Sequence, residues 1–249
     1  MGQVIDLGEA RERAQSKHAR ISESLKRLAR ENRQALLSSY PYVRFWLQDV
    51  QREHYVHLLR LHLALREAIE NNLEYLGDHF EVEALFDQQR KQFSIAHFVK
   101  PNIYKSDLIR KDLAALNESP FTELDHSPKL KEFLGYIRRT SNAYSVSLLG
   151  TLFVLEDNLA SAGNQLATTL VQNNAVNNFA LNYLSSYADS KDGLWQFTQS
   201  LDSISDFQTQ ANVVIAATLS YEMHRDLLKP MDVRRWSAKR QADLSLDQY

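Results

Sequence analysis

The chain has 249 residues, 44% of them hydrophobic and 24% charged, with a formal net charge of −2, the balance of one large globular domain. It contains no cysteine, which excludes disulfides, zinc–thiolate sites, iron–sulfur clusters and cysteine nucleophiles. The near-neutral charge gives no electrostatic reason to expect nucleic acid, and no run of about 18 apolar residues is present to span a membrane.

The opening stretch MGQVIDLGEARER has no apolar core, so it does not read as a secretory signal, and Asp6 stands where N-myristoylation needs Ser or Thr. The expectation from these features is a cytoplasmic protein. Residues 8–37 carry Ile21, Leu25, Leu28, Asn32 and Leu36 at three- and four-residue steps. That spacing predicts one or two helices with a single buried stripe, broken at Pro41. A further helix is predicted from His54 to Leu76, with Gly77 as its terminator. Residues 81–93 read as a weaker helix, and Ser106 or Asp107 as the cap of a short helix ending at Leu116. Ser127 and Pro128 stand in cap-then-first-turn order. From Lys129 to Gln172 the helical pattern hardly pauses, with hinges expected at Ser141–Asn142 and in the run Ala160–Gly163. Short helices are expected in NNAVNNFALNYLSSY and GLWQFTQSLDSI. Ser205 or Asp206 caps a last helix through Leu228, ahead of Pro230. The predicted fold is therefore all-α: one helical domain over 1–230, then a polar tail over 231–249.

Chemistry-bearing residues concentrate in two places. Residues 54–70 contain His54, His57, His62, Glu67 and Glu70. His54 and His57 have a spacing at which helices build carboxylate–histidine metal sites; the same spacing fits histidines on a helix surface, with His54 on the solvent side beside Glu53. His224, on the last helix, is either a ligand or proton carrier, or a last-turn histidine at a helix C-terminus. Arg138–Arg139 and Arg234–Arg235 can hold anions or simply be solvated. The second place is GTLFVLEDNLASAGNQLATTL, residues 150–170. An apolar helix there carries two adjacent acids, Glu156 and Asp157, and then the small residues Ala160, Ser161, Ala162 and Gly163. Buried acids need partners, and small residues let another layer lie close to the backbone. That layer is either a ligand or a neighbouring helix.

The segment LKRLARENRQALLSSYPYVRFWLQDVQREHYVHLLRLHLALREAIE, Leu25 to Glu70, resembles the opening of a heme oxygenase. Leu25, Lys26, Phe45, Tyr55 and Glu70 fall in register without a gap. Phe153, Val154, Leu155 and Glu156 match one version of that family's distal-helix motif, and Leu155 and Asp157 match another. The stretch VVIAATLSYEMHRDLL is similar to its last helix. The resemblance implies a single-domain heme-oxygenase-like helical bundle with a long kinked distal helix. It implies heme, and with it iron, as cofactor, a flat small-molecule ligand as partner, and an electron donor for oxidative cleavage to biliverdin. It makes Asp157 the catalytic acid that orders water at the distal kink and Lys26 the partner of a heme propionate. Glu156, Ala160, Ser161 and Gly163 become the lining of the slot.

The chain departs from the family pattern at Arg33, which stands at the proximal-histidine position; a guanidinium stays protonated and cannot ligate iron. The nearest upstream histidine, His18, lies about four helical turns away by helix rise. The distal glycine pair is replaced by Ala160–Ser161 or Ala162–Gly163, which narrows the slot by a side-chain layer. Three readings follow. The first is a diverged heme-oxygenase-like protein that holds heme or another flat apolar ligand, with cleavage reduced or lost and Arg33 attracting a carboxylate. The second is a non-heme iron oxidase using Glu67, Glu70, Asp157 and His224, although no Glu-x-x-His pair is present. The third is a non-catalytic binding or regulatory module. The implied fold places Arg33 and Asp157 on helices facing each other across one cavity.

Overall fold

The structure is a computed structural model that describes residues 20–39, 50–84, 98–99, 101–120, 127–143, 145–188, 190–204 and 206–228. The expectations for His18, for Pro41, for residues 85–93 and for the tail from 231 lie outside the described residues. Among the described residues there are eight α-helices and no strand. They are α1 Ile21–Ser39, α2 Arg52–Ala84, α3 Ser106–Ala115, α4 Pro128–Ala143, α5 Leu148–Gln172, α6 Asn182–Ser185, α7 Ser190–Ser200 and α8 Phe207–Leu228. None is long and apolar enough to cross a membrane.

Of the predicted stripe of α1, Ile21, Leu25 and Asn32 are buried and Leu28 is half-buried; Ala29 is buried beside them, while Lys26, Arg30 and Arg33 are exposed. α2 is buried on most sides from Tyr55 to Leu73. Gly77 does not end it; the helix runs on to Ala84. An interior glycine costs only about 1 kcal/mol, which the surrounding helix formers can offset. The long helix expected from Lys129 is two: α4 stops at Ala143 and α5 starts at Leu148, with a tight turn at Ser145–Ser147 between them. The run Ala160–Gly163 leaves α5 uninterrupted.

Helix starts are held in two ways. Two caps are local and were predicted: Ser127 Oγ accepts from the Leu130 amide at 3.4 Å, and Asp206 Oδ2 from the Thr209 amide at 2.7 Å. Three others come from distant elements. The start of α3 is capped by Glu70 of α2, which accepts from the Lys105 and Ser106 amides at 2.9 and 3.3 Å; neither Ser106 nor Asp107 acts as the cap. Asp112 of α3 accepts from the amides of Asn182 and Tyr183 at the start of α6, both at 2.8 Å, and from the Tyr55 hydroxyl at 2.9 Å. Asp202 accepts from the Ser22 amide and hydroxyl at the start of α1, at 2.9 and 2.7 Å. A carboxylate at a helix N-terminus satisfies orphan amides and complements the dipole, so these bonds also fix the helices relative to one another.

α5 and α8 cross closely at Gly150. A Cβ on Gly150 would lie 2.1 Å from the Val213 carbonyl oxygen and 2.9 Å from the Ala217 amide nitrogen. Only glycine lets the two backbones approach this closely. Phe153, Asp157, Ala160 and Ser161 of α5 share a cavity with α1 and α7.

Candidate functional site

The cavity between α1, α5 and α7 has a volume of about 350 Å³. Lys26, Ala29 and Arg33, at three- and four-residue steps, give it one wall from α1. Phe153, Asp157, Ala160 and Ser161 form the α5 wall, and Leu194, Trp195 and Thr198 the α7 wall. Arg33 spans the space. Its Nε donates to the Ala29 carbonyl at 3.3 Å and its Nη1 to Ser161 Oγ on the opposite wall at 2.8 Å. Its Nη2 lies 3.8 Å from Asp157 Oδ1, beyond hydrogen-bond reach. Lys26 Nζ sits 2.9 Å from the centroid of the Trp195 ring, a cation on an aromatic face. Asp157 is buried, and its Oδ2 accepts from the Tyr221 hydroxyl at 2.7 Å. Burial holds its carboxyl above the usual aspartate range, against the opposing pull of the Tyr221 bond and the Arg33 charge.

Glu156 faces the other way. Arg66 Nη2 donates to its Oε1, and Lys105 Nζ to its Oε2 at 2.8 Å. Arg66 is 0% exposed and also donates to the Ile103 carbonyl at 3.1 Å and to the Tyr187 hydroxyl. Lys105 Nζ lies 3.5 Å over the Tyr187 ring. Burial alone would raise the Glu156 carboxyl; the charges of Arg66 and then Lys105 override it and hold it below the usual range. Of the predicted lining residues, then, Lys26, Arg33, Asp157, Ala160 and Ser161 come together, while Glu156 is directed into this ionic cluster. Gly163 is also turned away: a Cβ there would meet Tyr187 Cβ at 3.5 Å and the Leu184 carbonyl at 3.8 Å, so it packs against α6.

The histidines form a third group. His62 Nε2 and His224 Nε2 are 3.1 Å apart, His62 Nδ1 lies 2.8 Å from the Tyr183 hydroxyl, and Asn158 Nδ2 lies 3.2 Å from His224 Nδ1. One proton arrangement satisfies them all: the Asn158 amide donates to His224, His224 to His62, and His62 to Tyr183. Burial lowers the His224 pKa to about 4. Burial, then the charges of His224 and Arg66, hold His62 well below its usual value. His224 does lie near the C-terminal end of α8, as a buried neutral imidazole rather than a cation stabilised by the helix dipole. His54, expected in solvent, is buried too, and its Nδ1 accepts from the Gln51 amide at 3.0 Å. The residues named for non-heme iron are dispersed: Glu67 pairs with Arg110 at 2.7 Å on the surface, Glu70 caps α3, Asp157 holds Tyr221, and His224 holds His62. Among the described residues no group of three or more His, Asp or Glu can hold a metal ion.

Sequence reasoning missed Arg66, Lys105 and Trp195. Arg66 had a signal: it stands seven residues from both Leu59 and Leu73, on the buried stripe of α2. An acid in the apolar run of α5 called for a buried cation of this kind.

The heme oxygenase-1 of the cyanobacterium Synechocystis, solved in complex with heme, matches with a TM-score of 0.67 over 91% of this chain and 100% of that one, at 14% identity. The fold is that of the heme oxygenases. The heme oxygenase of Leptospira interrogans matches at a TM-score of 0.64 and 14% identity, over 84% of this chain and 98% of that one. Synechocystis heme oxygenase-2, solved with heme and NO, matches at 0.64 and 16% identity, over 85% and 84%. No protein-family model matches the sequence, and no curated protein does. At these identities the likeness is one of fold, and the heme-oxygenase fold is the one the Leu25–Glu70 register implied.

Proposed function

We propose that this heme-oxygenase-fold chain is a small-molecule-binding protein whose slot between α1 and α5 takes a flat apolar ligand, without histidine-ligated heme chemistry. The observation that carries this reading is the Arg33–Ser161 hydrogen bond of 2.8 Å, which runs from one wall of the slot to the other. A tetrapyrrole sheet between the helices would have to cut through it. The polar side chains lining the cavity are those of Lys26, Arg33, Asp157, Ser161, Trp195 and Thr198; none is the neutral imidazole that binds ferric heme as an axial ligand. The side chains as they stand do not fit heme. A volume of about 350 Å³ is at the small end of ligand pockets. In this reading Lys26, Arg33, Ala160 and Ser161 contact the ligand. Asp157 sets the charge of the wall rather than serving as a catalytic acid.

Absorbance titration with hemin tests this. Wild type is expected to lack the sharp spectrum of an imidazole-bound ferric heme. Arg33→His removes the bridge and supplies an imidazole, and is expected to gain that spectrum. A wild-type protein that already binds hemin through an imidazole would sink the reading and direct attention to His18.

A further inference from the structure

We infer that the cavity is built for a flat apolar monocarboxylate free of metal, its carboxylate taken by Arg33 and Lys26 and its apolar part lying against Trp195, Leu194 and Phe153. The inference rests on the reading that this cavity binds a small molecule, and adds the chemical class of that molecule.

The charges point to it first. Lys26 and Arg33 lie on one face of α1, about 10 Å apart along the axis, with only the methyl of Ala29 between them. Two cations against the single carboxylate of Asp157 leave the lining one positive charge in excess. That carboxylate is already engaged: its Oδ2 holds the Tyr221 hydroxyl, and its Oδ1 stays 3.8 Å from Arg33. The guanidinium therefore donates to a neutral hydroxyl and a backbone carbonyl, not to a carboxylate. A planar guanidinium fork is best matched by a carboxylate that accepts two parallel bonds. Lys26 has no carboxylate within ion-pair distance among the described residues, and its ammonium rests on the Trp195 face. Phe153, Ala160 and Leu194 give the lining its apolar part, and the Thr198 hydroxyl is turned to the Leu194 and Trp195 carbonyls at 3.1 and 2.9 Å. A neutral apolar molecule would leave Lys26 without an anion and Arg33 with only the 3.8 Å contact to Asp157, and a cationic one would be repelled.

Isothermal titration calorimetry on the full chain with 1-naphthoate, 1-naphthalenemethanol and 1-naphthylmethylammonium tests the class. Naphthoate is expected to bind about ten-fold tighter than the alcohol at low salt, the worth of one charge-assisted hydrogen-bonded pair. Salt should shrink that advantage. Lys26→Gln and Arg33→Gln should each weaken naphthoate several-fold while leaving the alcohol within about two-fold, since they remove charge and keep bulk. Ala160→Phe fills the cavity and should abolish binding of both; Ala29→Leu does the same from the opposite wall should the first variant fold poorly by circular dichroism. Equal affinity for naphthoate and the alcohol would overturn the anion class and leave the small-molecule reading standing. If neither binds, or if binding survives both cavity-filling variants, the small-molecule reading falls with it.

Discussion

Glu156 and Asp157 are neighbours on α5, yet they live in opposite environments. Glu156 points into a closed cluster with two cations, and its carboxyl is held below the usual range. Asp157 points toward the cavity with one hydroxyl bonded and a guanidinium too far to donate, and its carboxyl is held above the usual range. A step of about 100° around a helix separates a residue committed to the fold from one left over for a ligand. Burial is similar at the two positions, so the partners decide the difference. A carboxylate whose charge is matched inside the protein is part of the scaffold, and one whose charge is incompletely matched is free to respond to what enters the cavity.

The sharpest way to break this contrast is Glu156→Gln. It removes the carboxylate that Arg66 and Lys105 both bond in the buried cluster, and removing one partner of a buried pair costs about 3–5 kcal/mol. Urea unfolding measures it directly. A loss below about 1 kcal/mol would mean that the cluster is not the scaffold element described here.

Protons test the same buried side less severely. His224 has a pKa of about 4, against an ordinary 6.5. Above pH 6.5 neither the folded nor the unfolded chain binds a proton there; between 6.5 and 4 only the unfolded chain does. Stability therefore falls as pH falls through that window, by about 3 kcal/mol for this residue, and the loss is complete below pH 4. His57, also lowered to about 4 by burial and then by Arg60, adds a loss of the same sign. Thermal melts at pH 7 and pH 4 are expected to show the drop. In His224→Gln, less stable from the start, the drop should be smaller; an unchanged pH dependence would remove His224 from the account.

The sequence made the helices legible because periodicity and local caps are local properties. The stripe of α1, the caps at Ser127 and Asp206, and the facing of Arg33 and Asp157 all follow from residues a few positions apart or from the family register. The caps supplied by Glu70, Asp112 and Asp202 were not legible, since each reaches a helix start far away in the chain. The same holds for the partners of Glu156, at Arg66 and Lys105. The place of Arg66 on the buried stripe of α2 is visible in one dimension, but its partner is not; only the three-dimensional meeting of α2 and α5 sets it against Glu156. His62 and His224 lie 162 positions apart, and nothing in one dimension pairs them.

The smallest effect expected is at Asp157, and it bears most directly on the contrast. Asp157→Asn keeps an oxygen for the Tyr221 hydroxyl and removes a charge that burial disfavours. An acid whose folded pKa is raised costs stability at pH values above that pKa and relieves the cost as pH falls through it. The amide carries no such cost. What it gives up is the long contact to Arg33, whose side chain is 49% exposed, and pairs of that kind are worth about 0–1 kcal/mol. The two changes nearly cancel, so Asp157→Asn should unfold within about 1 kcal/mol of wild type at pH 7. The same substitution removes the one negative charge of the cavity lining, so it should strengthen the binding of 1-naphthoate while leaving 1-naphthalenemethanol unchanged. A stability loss comparable to that of Glu156→Gln would show that both acids serve the fold and that the division between the two faces of α5 is wrong.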